Sequence, residues 1–263
     1  MDNTNSKGQC STSELLAVLL SREFEDGEIG SAGVNSAIPM AAMRLAQLTR
    51  CPNLGIICSY TGFMLNLARE GECPLYPSSF DYRNIYGAES CLPGPEIFYF
   101  QRDFFCASGI QIDRFGNVNM AAIGEWQLPK FRGPGSAGIP FVSATANKYF
   151  LYFPQQSPKI FVEKVDFISG IGYYQGYNTR EQFALPGAGP KKVFTNLGVY
   201  DFEPATKSMR LISIHPSVSV QVVVDATGFP LLILDDLSET EAPSDQELSI
   251  LRTKVDPLGI LRG

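Results

Sequence analysis

The sequence predicts an α/β protein: one domain of residues 1–263, with a mostly parallel open sheet and flanking helices. Its length of 263 residues suits one large α/β domain. Apolar residues make up 44% of the chain and charged residues 18%, which allows a sizeable core. Apolar segments near the amino terminus follow the order strand, helix, strand, the unit of a mostly parallel sheet. The polar residues 1–10 are expected to be flexible.

The first helices and strands are predicted from helix-capping residues and from the spacing of apolar residues. Ser11 and Glu14 have the spacing of a capping box and precede a leucine-rich run, which predicts a helix. Residues 28–34 are predicted as a short strand that leads into a glycine turn. A proline stands at the start of the next segment, and the apolar pattern of residues 40–48 predicts a helix there. Residues 54–58 then predict a buried strand.

The later elements are less regular. Residues 61–97 contain several prolines and predict an irregular loop that serves as a lid, a binding loop or a partner contact. Alternation of apolar and polar residues over 161–168 predicts a strand. The proline- and glycine-rich residues 183–192 predict a second loop. The other predicted elements are apolar segments at 97–100, 104–112, 139–145 and 149–153, strands at 192–200 and 209–214, and helices at 218–227 and 245–253.

Composition excludes several classes of function. The net charge is −6 with a pI near 4.9, and no basic patch stands out, so nucleic-acid binding is disfavoured. No apolar run is long enough to cross a membrane, and no secretory signal opens the chain, which predicts a cytoplasmic protein. His215 is the single histidine, so no metal site built on several histidines is expected. Six cysteines without C-x-x-C spacing predict free thiols: residues 10, 51, 58, 73, 91 and 106.

A glycine loop is the most informative motif. Residues 133–138 expose several backbone amides with little side chain in the way, which suits binding of a carbonyl oxygen or an anion. The loop also fits the spacing G-x-G-x-x-G, but that fingerprint needs a strand before it and a helix after it. Pro129 and Lys130 precede the loop, and residues 139–153 have the β-branched and aromatic content of a strand. NAD binding is therefore rejected, and a plain glycine turn remains the alternative.

Two strand ends offer further candidates. The turn after the first strand could present its amides to an anion at a helix start, and a tight connection is the alternative. Cys58, Ser59 and Tyr60 end the second strand, and ligands of open α/β sheets bind beyond the carboxyl ends of strands. Cys58 alone could equally be a small buried hydrophobic residue. His215 has the setting of a structural hydrogen-bonding residue rather than a base.

Several spaced motifs resemble the β-type subunit of the glutaconate CoA-transferase family, over residues 14–257. The family carries a D-x-x-G-N-V-N turn, a P-K-x-R segment and a G-S-G-G loop. Here these read Asp113-Arg114-Phe115-Gly116-Asn117-Val118-Asn119, Pro129-Lys130-Phe131-Arg132 and Gly135-Ser136-Ala137-Gly138. Further similar segments lie at residues 50–57, 161–168, 195–199 and 227–229. The order of these motifs makes the resemblance more specific than any one of them.

The resemblance also exposes a departure. The family's transferases place a glutamate after the second strand, in an E-S-G setting, and this carboxylate forms an anhydride and then a CoA thioester. Ser59 stands at that position when the chains are aligned without a gap from Pro52, and Tyr60 does so with one inserted residue. No carboxylate occurs between Arg50 and Arg69. Because a hydroxyl or thiol cannot form an acid anhydride, the usual transferase cycle is not expected.

The resemblance implies a CoA-transferase-like fold and a β-type subunit that pairs with an α-type subunit, with the active site at their interface. Members without the glutamate include decarboxylases of acyl-CoA esters and hydrolases that cleave carbon–carbon bonds. Either reaction on an acyl-CoA is expected here, with CoA transfer and a non-catalytic stabilising subunit as alternatives. CoA enters as part of the substrate, and no permanently bound cofactor or metal is implied. The catalytic candidates are Cys58, Ser59 and Tyr60, and the candidates for CoA binding are Gly33, Val34, Asn35, Asn119, Gly135, Ser136, Ala137 and Gly138.

Overall fold

The computed structural model describes residues 10–33, 36–58, 63–65, 88–90 and 102–263. The helices in chain order are α1 (Thr12–Ser21), α2 (Ala37–Thr49), α3 (Ile139–Thr145), α4 (Thr179–Gln182), α5 (Val220–Asp225) and α6 (Asp245–Ile250). The strands are β1 (Ile29–Ala32), β2 (Gly55–Cys58), β3 (Phe63–Leu65), β4 (Ala88–Ser90), β5 (Phe104–Ala107), β6 (Gln111–Ile112), β7 (Val118–Asn119), β8 (Ala122–Gly124), β9 (Pro129–Arg132), β10 (Lys148–Phe153), β11 (Pro190–Thr195), β12 (Gly198–Phe202), β13 (Met209–Ile214) and β14 (Leu232–Glu239).

Ten strands of the described residues form one sheet, in the order β14-β13-β12-β11-β10-β5-β1-β2-β3-β4. Its centre is parallel, because β11, β10, β5, β1 and β2 run in the same direction. Antiparallel pairs flank this centre on both sides, and β14 is again parallel to β13. The prediction of an α/β fold with a mostly parallel sheet is therefore confirmed.

Helices α1 and α2 cover one face of the sheet. The predicted capping box is present: Ser11 Oγ accepts from the Glu14 amide at 3.1 Å, and the Glu14 carboxylate accepts from the Ser11 amide at 2.9 Å. Beneath the helices, the rings of Phe24 and Phe104 stack with centroids 4.2 Å apart. A Cβ at Gly30 in β1 would overlap the Phe104 ring, so glycine is required there. Each ring buried in this core contributes about 1.5–3 kcal/mol.

A second hydrophobic cluster covers the other face of the sheet. It combines strand residues with side chains of α3 and α5 and with the irregular segment after β10. Phe161 of that segment is fully buried, and its ring lies 5.4 Å from Phe153 of β10 and 6.0 Å from Tyr200 of β12. The central strands of the sheet are thus enclosed between two apolar layers, as expected for an α/β domain, whereas β14 at one edge is largely exposed.

The expectation of strand structure at residues 139–145 is wrong, because these residues form helix α3. Gly138 is the N-cap, and Pro140 occupies the first turn, where its missing amide hydrogen costs nothing. Ala146 adopts an extended conformation and ends the helix. The aromatic half of the predicted segment does form a strand, β10.

Residues 161–168 do not form the predicted strand. Only isolated bridges occur there, from Ile112 to Phe161 and from Val162 to Gly228. Phe161 is buried in the second cluster and Val165 is buried without pairing in a sheet, whereas Phe167 is only partly buried and Ile168 is exposed. Packing against an irregular surface can therefore imitate the pattern of a strand.

Three further differences concern the sheet. The predicted strand 192–200 is a hairpin of β11 and β12, whose turn is held by Thr195 Oγ1 accepting from the Leu197 and Gly198 amides. Within the predicted irregular loop 61–97, β3 and β4 are antiparallel strands, and the remainder of that loop lies outside the described residues. Strand β14 was not predicted. The predicted strand at 209–214 and the predicted helices at 218–227 and 245–253 correspond to β13, α5 and α6.

No helix in the described part of the chain is long and apolar enough to span a membrane. The same residues contain no group of three or more His, Cys, Asp or Glu side chains arranged to hold a metal ion. Cys10, Cys51 and Cys106 are free thiols, as predicted. Burial raises the pKa of the Cys106 thiol, so this cysteine is an inert core residue.

Candidate functional site

The candidate site begins where three neighbouring parallel strands end. In the order β5-β1-β2, Ala32 of β1 pairs with Cys106 of β5, and Ser31 pairs with Ile57 of β2. Cys58 therefore ends β2 at the level of Ala32. Because parallel strands end at a common edge, the segments that follow them emerge side by side, at the usual position for ligands of open α/β sheets.

Several predicted residues belong to this edge. Gly33 follows β1 directly, and among the described residues a Cβ there would meet only Ser36 Oγ, at 3.3 Å. The backbone of Cys58 ends β2, but its side chain is outside the described part of the structure. The predictions for Val34, Asn35, Ser59 and Tyr60 also fall outside the described residues, so their roles stay predictions.

A chain of backbone hydrogen bonds connects the end of β5 with the glycine loop. After β5, the Ile110 amide donates to the Asn119 carbonyl at 2.8 Å. The next carbonyls hold the loop: Ala121 O accepts from the Gly133 amide at 2.8 Å, and Met120 O accepts from the Gly135 amide at 3.0 Å. The structure thus brings residues 133–138 to the same edge of the sheet as the strand ends.

The glycine loop contains two residues with positive φ. Gly135 has φ +96°, Ala137 has φ +43°, and Gly138 follows with φ −82° and ψ −3°. Ala137, with positive φ, is followed by the right-handed Gly138, and neighbouring residues of opposite hand can turn their amides towards one anion or carbonyl oxygen. The amides of Ser136, Ala137 and Gly138 donate to no acceptor among the described residues. Three donors therefore remain available to a ligand.

Ser136 and Asn119 attach the loop to the fold. Ser136 Oγ donates to Ser169 Oγ at 2.8 Å, and Ser169 Oγ also accepts from the Met120 amide at 2.9 Å. Asn119, predicted to bind CoA, is fully buried; its Nδ2 donates to Ala122 O at 2.7 Å and its Oδ1 accepts from the Ala121 amide at 2.9 Å. Its side chain therefore shapes the backbone that carries the loop, and direct contact with CoA stays a prediction.

The Asp113–Asn117 turn is held by a buried network. The Asp113 carboxylate accepts from the Phe115 amide and from Asn117 Nδ2, and Asn117 Oδ1 accepts from the Gly172 and Tyr174 amides. Burial raises the pKa of Asp113 to about 6, although the bonds from Asn117 and Phe115 act in the opposite direction. These bonds join the Asp113–Asn117 turn to the irregular segment after β10. The same segment contains Ser169, which binds Ser136 of the glycine loop.

Arg180 is a structural residue of the site that sequence reasoning missed. Its guanidinium is buried and donates only to carbonyls: to Ser143 and Ala144 at the end of α3, at 3.1 and 3.2 Å, and to Gly172 and Gly187, each at 2.8 Å. The last carbonyls of a helix carry partial negative charge, so a cation is favoured there. Burial lowers the pKa of Arg180. No local pattern in the sequence predicts the contact between Arg180 and the end of α3.

The elements on either side of the glycine loop differ from those expected from the sequence. A strand, β9, does precede the glycine loop, and a helix, α3, does follow it. However, β9 pairs with β8 in a separate two-stranded sheet, whereas β10 after α3 belongs to the main sheet. The strand–helix–strand unit of a dinucleotide site is therefore not formed by these elements.

His215 is buried at the end of β13. Its Nε2 lies 2.7 Å from the Thr195 carbonyl oxygen, so Nε2 carries the proton and donates. The other ring nitrogen, Nδ1, has no hydrogen-bond partner among the described residues. Burial lowers the pKa of His215, and the bond to Thr195 opposes that effect only in part. This is the structural histidine that the sequence suggested.

We expect His215 to make the fold sensitive to mild acid. Because its folded pKa is below the unfolded value, the unfolded chain takes up the proton first, and stability falls as the pH drops below about 6.5, by at most about 1.4 kcal/mol per pH unit. Asp113, whose pKa is raised, acts in the opposite direction in this range. Because wild type and His215→Gln both contain Asp113, its contribution cancels when the pH dependence of their stabilities is compared. Urea unfolding at pH 7.5 and 5.5 should give the larger loss for wild type, and equal losses would contradict the assignment.

Comparison with known proteins agrees with this geometry. The Coenzyme A transferase family model matches residues 100–226. The chain is 32% identical to one of the subunits of 3-oxoadipate CoA-transferase of Pseudomonas knackmussii, over 92% of both chains. It is also 32% identical to the cholesterol ring-cleaving hydrolase IpdB subunit of Mycobacterium tuberculosis, over 93% of this chain and 94% of that one.

Among solved structures, glutaconate coenzyme A-transferase of Acidaminococcus fermentans superposes with a TM-score of 0.83. The two share 27% sequence identity, over 97% of this chain and 98% of the other. Both the fold and the sequence therefore match along nearly the whole chain. The protein belongs to the coenzyme A transferase family.

Proposed function

We propose that this chain is the β-type subunit of a heteromeric enzyme that cleaves a carbon–carbon bond in an acyl-CoA, by decarboxylation or by hydrolysis, without an enzyme-bound glutamyl-CoA thioester. An α-type subunit completes the active site. The substrate brings CoA to the site, and no permanently bound cofactor takes part. The similar proteins from P. knackmussii and M. tuberculosis are each named as one subunit of an enzyme, which supports a paired assembly.

The observation that carries the proposal is the absence of any carboxylate between Arg50 and Arg69. Transfer of CoA through the enzyme needs a carboxylate that can form a mixed anhydride with the acyl group. Strand β2 ends within this stretch, at the edge of the sheet where the glycine loop lies. Cys58, Ser59 and Tyr60 are the residues placed by sequence at the end of β2. A thiol or hydroxyl there can hold or move a proton but cannot replace the anhydride.

The glycine loop has a defined task in either reaction. When a bond to the carbon beside or conjugated with the thioester breaks, its electron pair is delocalised onto the thioester oxygen. The amides of Ser136, Ala137 and Gly138 are free to donate to an oxygen that gains this charge. In the decarboxylation the carboxylate leaves as carbon dioxide. In the hydrolysis a water adds to a ketone carbonyl of the acyl group, the bond from that carbonyl carbon to the neighbouring carbon breaks, and the former ketone leaves as a carboxylic acid. In both reactions the enolate that remains takes up a proton at carbon.

Two alternatives remain. Ordinary CoA transfer, supported by the transferase name of the relative from P. knackmussii, requires a carboxylate from the partner or from another segment of this chain. A non-catalytic stabilising subunit requires no chemistry at the strand ends. The first differs from the proposal in that a CoA thioester forms on the enzyme during turnover, and the second in that the chain takes no part in turnover.

The proposal predicts that no CoA becomes attached to this chain. The co-expressed pair is incubated with a panel of CoA esters, treated with borohydride and assayed, and the chain is then measured by mass spectrometry. Activity should survive, and no mass increase for CoA should appear. A glutamate-using member of the family, treated in parallel, should lose activity by reduction of its thioester.

Two outcomes would contradict the proposal. A CoA adduct on any glutamate of this chain would establish the transferase alternative. A pair that binds CoA esters but turns over none of the panel would favour the stabilising subunit. Cys58→Ala, Ser59→Ala and Tyr60→Phe then test the strand end: slower turnover in any of them places proton transfer there, and unchanged turnover in all three places it in the partner.

A further inference from the structure

The hairpin that precedes the glycine loop presents aromatic and cationic side chains to solvent. Lys130 and Arg132 are two residues apart on β9 and therefore share one face of the hairpin. The Arg132 guanidinium lies 4.6 Å from the centroid of the Trp126 indole. The indole makes an edge contact with Phe167, with centroids 5.4 Å apart, and 54% of Trp126 is exposed. The large aromatic surface is thus held in place yet left open.

The hairpin carries two cations that are not neutralised by a neighbouring carboxylate. The protein has a net charge of −6, and many of its cations lie in ion pairs, such as Arg22 with Glu247. Lys130 and Arg132 form no ion pair with any carboxylate among the described residues. Asp166 accepts from the Gly124 amide instead, and Glu125, in the turn of the hairpin, forms no ion pair with a described cation. An exposed aromatic ring beside unpaired cations matches the chemistry of a nucleotide with phosphate groups.

The hairpin is fixed relative to the glycine loop. A Cβ at Gly133 would overlap the Met120 carbonyl. The backbone between β9 and the loop therefore packs closely against the segment that joins β7 to β8. Arg132 and Ala137 are five positions apart, so their Cα atoms are separated by at most about 18 Å. One molecule with a carbonyl group, a flexible arm and an anionic nucleotide can therefore contact the loop amides and the hairpin together.

We propose that the hairpin surface formed by Trp126, Lys130 and Arg132 binds the 3′-phosphoadenosine diphosphate end of the CoA substrate. Trp126 and the Arg132 guanidinium offer flat surfaces for the adenine ring, and the two cations bind the phosphates. The pantetheine arm then runs towards the loop, where the thioester oxygen meets the free amides. This inference rests on the proposed function, because it takes the ligand to be an acyl-CoA.

The chain contains a single tryptophan, so its fluorescence reports on Trp126. The co-purified complex is titrated with CoA, adenosine 3′,5′-bisphosphate, dephospho-CoA and pantetheine, and the signal of the Trp126→Phe complex is subtracted. CoA and the bisphosphate should change the Trp126 signal, whereas pantetheine should not. Dephospho-CoA should bind about tenfold more weakly than CoA, the loss expected for one charge-assisted contact.

Calorimetry of the same complexes tests the residues. Arg132→Gln and Lys130→Gln should each weaken CoA binding by about tenfold. The matched control is Lys207→Gln, which removes a cation 5.5 Å from the Tyr173 ring elsewhere on the surface, and it should bind CoA as wild type does. Trp126→Ala should weaken binding by about tenfold, and Trp126→Phe should restore most of it.

The outcomes separate this inference from the proposed function. If CoA binds to wild type, and both β9 variants bind it equally tightly with no change in the Trp126 signal, the hairpin assignment is overturned and the proposed function stands. A Trp126 response to pantetheine alone also overturns the assignment. If neither CoA nor any acyl-CoA binds to the complex, the proposed function itself has failed.

Discussion

Gly135→Val should lower turnover of the acyl-CoA by about 100- to 1000-fold, the cost of losing an oxyanion donor. Gly135 has φ +96°, a conformation that a β-branched residue adopts only with strain, and the space beside its Cα is open. The folded variant must either keep the strained backbone with a bulky side chain beside the amides, or change the backbone and turn the amides away. Both responses disturb the ligand oxygen, while the surrounding core is untouched.

Gly27→Val is the matched control. Gly27 has φ +84°, and its Cβ would likewise meet no atom within 4 Å, but it lies before β1, at the opposite edge of the sheet. Each variant should lose about 1–2 kcal/mol of unfolding free energy from the same backbone strain. Turnover should fall only in Gly135→Val. Wild-type turnover in a folded Gly135→Val enzyme, or an equal fall in both variants, would remove the loop from the mechanism.

The parts of the fold that could be predicted are those fixed by short-range chemistry. The capping box at Ser11, the buried strand that becomes β2 and the glycine-rich loop all depend on residues a few positions apart. The loop was recognised because glycine permits φ values such as +96° at Gly135. Its free amides follow from the same local geometry.

The elements that could not be predicted depend on distant partners. Helix α3 has the composition of a strand, yet its last carbonyls bind Arg180, 36 residues away from Ala144. The apolar residues from Phe161 onwards form isolated bridges to Ile112 and Gly228 and not a strand. The anchor between Ser136 and Ser169 joins residues 33 positions apart. Such contacts appear only when the chain is folded, because no periodicity in one segment encodes them.

Arg180→Gln should cause a large loss of stability. The guanidinium is buried and serves carbonyls of three separate segments, at Ser143, Gly172 and Gly187. Glutamine cannot reach all of them, and carbonyls left without donors inside the protein each cost about 1–3 kcal/mol. We expect the unfolding free energy to fall by about 3 kcal/mol or more. Arg180→Lys, with one compact donor group in place of a planar fork, should lie between wild type and glutamine.

Arg210→Gln provides the control for a lost arginine. Arg210 makes a two-pronged pair with Asp201, at 3.0 and 2.7 Å, but both side chains are partly exposed, so solvent screening limits the loss to about 1 kcal/mol. Urea unfolding compares the two variants directly. Hydrogen exchange under native conditions should show faster exchange of the α3 amides in Arg180→Gln alone. That variant has lost the hydrogen bonds from the guanidinium to the carbonyls of Ser143 and Ala144. Equal stability losses, with α3 exchange unchanged, would mean that packing and not Arg180 holds the helix that follows the glycine loop.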